Sequence, residues 1–144
     1  MIDWDRFVLF LVDQVGTSYK FGAEAKVGDP RPGALDCSEL VEMAYAYIHI
    51  VVPDGSDNQY RASIPIPQGE ERLGDVGFFK KKDRPCHHVG ILYDSRIVIE
   101  ARGMPYNRVI IRPKSAWEAW REFSGWRRFN AVTEAEKETG GKNA

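Results

Sequence analysis

The sequence predicts an α+β domain, with helices gathered ahead of an antiparallel sheet of about five strands and packed on one of its faces. Two observations carry this. Apolar residues recur at three- and four-residue intervals over residues 3–15 and 37–48, the spacing of one helix face. Beyond residue 75 the pattern changes to short β-rich runs separated by turn residues. Helices followed by strands, rather than alternating with them, indicate segregated layers.

In chain order, residues 3–15 read as a helix with Asp3 as N-cap. Trp4, Phe7, Val8, Leu11, Val12 and Val15 form its core stripe, and Gly16 lies past its end. Thr17 to Ala34 is a loop rich in Gly and Pro. Asp36 then caps a helix from Cys37 to Ile48, whose apolar face is Leu40, Val41, Ala44, Tyr45 and Ile48. Residues 51–67 are irregular apart from a short helix over Asp57–Ala62, with Pro65 and Pro67 set against regular structure around them. The strand candidates are Val76–Lys80, His88–Tyr93, Arg96–Ala101, Arg108–Arg112 and Trp126–Phe129. The Asp94-Ser95 turn joins the second and third as an antiparallel hairpin. Lys80 to Arg84 reads as a solvated loop tip. Ser115–Arg121 reads as a short helix whose Trp117 and Trp120 pack against the protein rather than forming a carbohydrate platform. Residues 131–144 are polar and read as a tail or linker, which bounds the domain at 1–130.

The 144-residue length suits one domain, and 43% apolar content is enough to build a core and exclude disorder. A net charge of −1 leaves no basic excess to neutralise phosphates, which argues against nucleic acid as a partner. The apolar run Phe7–Val12 is too short to span a membrane, so no membrane partner is expected. Asp3 and Asp5 stand where a secretion signal needs positive charge, so synthesis in the cytoplasm without a signal peptide is expected. Two cysteines, Cys37 and Cys86, build neither a disulfide framework nor a zinc-ligand pattern. No metal or other cofactor is expected, and the chain is expected to be a monomer.

Chemistry concentrates at Cys37. Unpaired backbone N–H groups and the helix dipole stabilise an anion in a helix's first turn, so a cysteine there is a candidate nucleophile rather than an inert packed thiol. His88 opens one strand of the hairpin and Glu100 lies near the end of the other, so the hairpin sets them side by side. Cysteine, histidine and a carboxylate to orient the imidazole make a nucleophile–base–orienter set.

These segments resemble the NlpC/P60 cysteine peptidases. Asp36-Cys37-Ser38 before a helix, His88-Val89-Gly90-Ile91 on a strand and a polar residue ending the next strand carry the resemblance. It extends to Tyr19-Lys20-Phe21-Gly22, to Leu73-Gly74-Asp75-Val76 with Leu73 in place of a proline, and to Gly125–Phe129. Glu39 stands where the family often has Gly, and Glu100 where it usually has His, Asn or Gln. Asp-Cys-Ser-Glu-Leu-Val and Ile-Glu-Ala-Arg-Gly resemble the variant in phage-encoded members, notably those of actinobacterial phages. The resemblance implies a papain-like fold and a catalytic set of Cys37, His88 and Glu100. It also implies a substrate-binding set of Tyr19, Asp36, Ser38 and His87. On the residues alone, Tyr19 is equally a core aromatic, Asp36 is equally a cap, and Ser38 carries the weaker case for contact with substrate. The implied substrate is the peptidoglycan stem peptide, cut between D-glutamate and the diamino acid, by a phage lysin or virion-associated peptidase. Two rivals remain: an N-acetylmuramoyl-L-alanine amidase using the same Cys–His chemistry, and an inactive wall-binding module.

Overall fold

The computed structural model describes residues 1–143, with side chains described through Glu138. Five helices, α1 (Trp4–Gln14), α2 (Cys37–Ala46), α3 (Ser56–Arg61), α4 (Lys114–Ala119) and α5 (Asn130–Asn143), accompany eight strands. The strands are β1 (Ser18–Tyr19), β2 (Ala34–Leu35), β3 (Ser63–Pro65), β4 (Val76–Lys80), β5 (Cys86–Leu92), β6 (Ile97–Arg102), β7 (Arg108–Pro113) and β8 (Phe123–Phe129). They form one sheet in the order β2-β1-β7-β6-β5-β4-β8-β3, antiparallel except for the parallel β1–β2 pair.

The sheet is thus larger than the five strands expected. The additional β1, β2 and β3 are only two or three residues long, too short to leave a period-2 signature. Pro65 does not prevent β3 from pairing with β8, because β3 is an edge strand and has no neighbour on its other side to receive an N–H.

In α1, Asp3 caps the helix by accepting from Arg6 N at 3.1 Å. The buried face is Phe7, Phe10, Leu11 and Gln14, whereas Val12 and Val15 are exposed. The expected stripe is therefore rotated. Residues 7–12 are apolar throughout and do not fix the phase. Gln14 can be buried because its amide donates to Pro30 O at 3.0 Å and accepts from the Thr17 hydroxyl at 3.1 Å.

Helices lie on both sides of the sheet, not one. The main core gathers Phe7, Leu40, Tyr45, Val76, Phe78, Val89, Ile91 and Phe129 among α1, α2 and one sheet face. A second core, Phe79, Leu92, Val98, Trp117 and Trp126, joins α4 to the opposite face. Alternation along each strand divides the residues between them: Phe78 and Ile91 point one way, Phe79 and Leu92 the other.

The segment read as a polar tail or linker is helical from Asn130 to Asn143, with Ala144 outside the described residues. Val132, 1% exposed, belongs to the main core. No helix among the described residues is long and apolar enough to cross a membrane.

Candidate active site

Cys37 is the first residue of α2, and the chain around it is held from several directions. The Asp36 carboxylate caps the helix, its Oδ1 accepting from Glu39 N at 2.8 Å and from the Ser38 hydroxyl at 3.2 Å. The buried Gln59 amide of α3 donates to Ser38 O and Pro53 O, both at 2.9 Å, and so ties the helix start to its neighbour. Glu39 Oε2 accepts from Ala25 N at 2.9 Å and anchors the preceding loop. Cys37 itself is partly buried against the main core.

The helix packs across β5 and β6, which brings Cys37 to His88. β5 and β6 pair through Ile91–Ile99 and Leu92–Val98. Further along, His88 Nε2 lies 2.5 Å from Glu100 Oε1. The imidazole also packs beside Phe79 and Trp117, at ring separations of 5.5 and 5.7 Å.

Glu100 is 0% exposed and its carboxylate is nonetheless fully engaged. Besides His88, the Trp117 indole N–H donates to Oε2 at 3.1 Å, and Arg102 Nη1 lies 3.3 and 3.2 Å from the two oxygens. Arg112 Nε stands 3.8 Å from Oε2. Burial alone would push the carboxyl pKa up. The hydrogen bond and charge of His88, the Trp117 N–H and the Arg102 charge outweigh it and hold Glu100 below its ordinary range. For His88, burial pulls the pKa down, but hydrogen bonds to Cys37 and Glu100 and their negative charges prevail and raise it to about 9. The arrangement favours a protonated imidazole beside the Glu100 carboxylate.

The structure thus brings Cys37, His88 and Glu100 together. Tyr19 lies near them: burial first, then the negative charges of Cys37 and Asp36, raise its pKa. Asp36 is the helix cap, and Ser38 is buried with its hydroxyl on Asp36, so it supports that cap. His87 does not join the group. Strand alternation turns it away from His88, and its Nε2 lies 2.7 Å from Glu122 Oε2 with the side chain 47% exposed.

The second cysteine contrasts with the first. Cys86 is buried, and desolvation followed by the Asp57 charge raises its pKa to about 11. Among the described residues no group of three or more His, Cys, Asp and Glu side chains is arranged to hold a metal ion.

Three residues of the site were not assigned to it from the sequence: Trp117, Arg102 and Arg112. Arg102 lies two residues beyond Glu100, which on a strand means the same face, and that spacing was available as a signal. Arg112 follows only from the β6–β7 register, in which Glu100 pairs with Ile110 two residues before it. Trp117 needs α4 on the opposite sheet face. There its ring lies over Gly90, where a Cβ would stand 2.6 Å from it.

A thiol at a helix start, an imidazole and a buried carboxylate on a curled, largely antiparallel sheet define a cysteine-hydrolase type of site. The chain belongs to the NlpC/P60 family, whose model matches residues 16–124. It is 30% identical over 97 residues to the peptidoglycan endopeptidase RipB of Mycobacterium tuberculosis. That alignment covers 62% of this chain and 39% of RipB, so the chain spans well under half of the relative's length. Among solved structures, an NlpC/P60 family protein from Bacillus cereus superimposes with a TM-score of 0.73 at 21% identity, covering 87% of this chain and 39% of that one. The P60 domain of a Mycobacterium avium subspecies paratuberculosis antigen gives 0.68 at 23% identity, covering 87% and 92%. At these identities the structural matches speak for the fold.

Proposed function

We propose that this domain is a cysteine endopeptidase that cleaves the stem peptide of bacterial peptidoglycan, between D-glutamate and the diamino acid. The observation that carries this reading is His88 held between the thiol of Cys37 and the buried carboxylate of Glu100. The Cys37 thiolate attacks the scissile carbonyl carbon, and the imidazolium gives its proton to the departing amine, leaving a thioester. His88, now neutral, takes a proton from water. The resulting hydroxide attacks the thioester carbonyl, the C–S bond breaks, and the acid leaves with the thiolate–imidazolium pair restored. The backbone N–H of Cys37, in the first turn where helix N–H groups lack intrahelical acceptors, faces the developing oxyanion. Glu100 fixes the ring and balances its charge.

The substrate class is supported by family membership and by likeness to RipB, and the bond by the resemblance of the motifs. The Asp-Cys-Ser-Glu-Leu-Val and Ile-Glu-Ala-Arg-Gly segments further support a phage-borne lysin or virion-associated enzyme, made in the cytoplasm and meeting the wall on release. The test is mass spectrometry of muropeptides after digestion of purified peptidoglycan. Stem peptides ending in D-glutamate, lost with Cys37→Ala and retained with Cys86→Ser, are the expected products. Release of whole stem peptides from muramic acid would assign an amidase instead. A folded protein that leaves the wall intact and whose Cys37 ignores alkylating probes would overturn the enzymatic reading.

A further inference from the structure

An amide at the third position of such a site is neutral in every step, but Glu100 is not, and its location makes that consequential. The carboxylate is wholly buried. His88 balances its charge only while the imidazole is protonated. In the proposed mechanism the proton leaves with the amine, and at that moment Glu100 would be a buried anion with no titratable partner in its charged form. Uncompensated charges in such places are neutralised by taking up a proton, which here would come from the catalytic relay itself.

Two guanidinium groups stand where they prevent this. Glu100 and Arg102 project from the same face of β6, and Arg112 lies on β7 two residues beyond Ile110, the register partner of Glu100. Arg102 Nη1 reaches both carboxylate oxygens, at 3.3 and 3.2 Å. The Nε of Arg112 is buried, has no hydrogen-bond partner among the described residues and lies 3.8 Å from Oε2, so it acts on Glu100 as a charge rather than as a donor. The far end of Arg112 is held separately, Nη1 donating to the Tyr106 hydroxyl at 2.8 Å. Guanidinium groups keep their charge at any pH the protein meets. The groups facing Glu100 are therefore His88 from β5, Trp117 from α4, Arg102 from its own strand and Arg112 from β7, with Cys37 beyond His88.

We propose that Arg102 and Arg112 are positioning residues that hold Glu100 anionic through both halves of the catalytic cycle, and through it govern the protonation of His88 and the reactivity of Cys37. This rests on the proposed Cys37–His88–Glu100 set but is read independently of the substrate. The measurement is the rate of Cys37 alkylation against pH, with Cys86→Ser throughout so that one thiol reports. Arg102→Gln together with Arg112→Gln is expected to move the acid limb upward by about one pH unit and lower the neutral-pH rate about tenfold. Lysine at either position should restore most of the rate, since the charge returns. With Glu100→Gln already present there is no charge to hold, and the arginine substitutions should cost nothing further. If the double variant does not fold, Arg102→Gln alone and the lysine variants make the same comparison. A role confined to packing would lower the melting temperature and leave the limb in place. Superimposable profiles, or equal losses with and without Glu100→Gln, would overturn the proposal. Failure of wall hydrolysis with the alkylation pattern intact would instead remove the proposed substrate.

Discussion

Opposing forces meet at His88. Burial favours the neutral ring, while Cys37 and Glu100 favour the charged one and prevail, lifting the pKa from 6.5 to about 9. A pKa raised on folding contributes stability that is fully present below 6.5 and lost as pH rises toward 9. Glu100 works in the other direction. Its lowered pKa contributes stability that is present above its ordinary 4.5 and lost as pH falls through the folded value. The melting temperature should therefore decline between pH 6.5 and 9, and His88→Gln should flatten that decline. Hydrolysis should fall along an alkaline limb near pH 9, because the imidazolium is the acid for the leaving amine. Glu100→Gln removes a charge that supports the imidazolium and should shift the limb toward 6.5. An alkaline limb that stays put in Glu100→Gln would mean that Glu100 does not set the charge of His88. The three residues behind this prediction were legible because each is signalled locally: Cys37 by a helix start, His88 and Glu100 by the two arms of one hairpin. His87 turns away from this group, toward Glu122, because adjacency in sequence, on a strand, means opposite faces.

At the scale of elements, α4 shows what local patterning leaves out. Its six residues were readable as a helix, but nothing in them says that α4 packs on the second sheet face, where Trp117 donates to a carboxylate on β6. That packing depends on a gap in β5, where Gly90 leaves room for the indole. A methyl at Gly90 would sit 2.6 Å from the Trp117 ring, which cannot bend away because it is stacked on Trp126. Gly90→Ala should thus displace Trp117 from Glu100 as well as strain the second core. The expected loss is about 1–3 kcal/mol of stability, the usual cost of overpacking, with a fall in kcat larger than the change in KM. Unchanged activity in a folded Gly90→Ala protein would show that the Trp117 contact does not position Glu100. The short strands β1, β2 and β3 escaped sequence reading for a different reason: two or three residues cannot display alternation. The face of α1 escaped it because an unbroken apolar run has no phase.

For the whole molecule, the segregation of helices and strands was visible in the change of period along the chain, whereas the second core and the closing helix were not. The sequence after Phe129 is polar apart from scattered alanines and Val132, and composition therefore suggested a tail. In the fold, α5 follows β8 without a loop, Asn130 N donating to Ala62 O at 3.0 Å. Val132 is then carried into the main core beside Phe129, and Glu136 pairs with Arg72 across the surface. Val132, with Ala131 and Ala135 half-buried against the same core, is enough to dock a helix whose composition is otherwise polar. α5 also lies beyond the stretch matched by the family model, residues 16–124, so its packing is a feature to be tested on this chain. Val132→Ala removes two buried methyl groups and should cost about 2 kcal/mol, or roughly 5 °C in melting temperature. A chain ending at Asn130 should lose at least as much, since it also forfeits the Arg72–Glu136 pair, whereas one ending at Glu138 keeps both contacts and should melt close to the full chain. The same melting temperature for the chain ending at Asn130 and the full chain would mean that the fold closes at β8 and that α5 is an appendage after all.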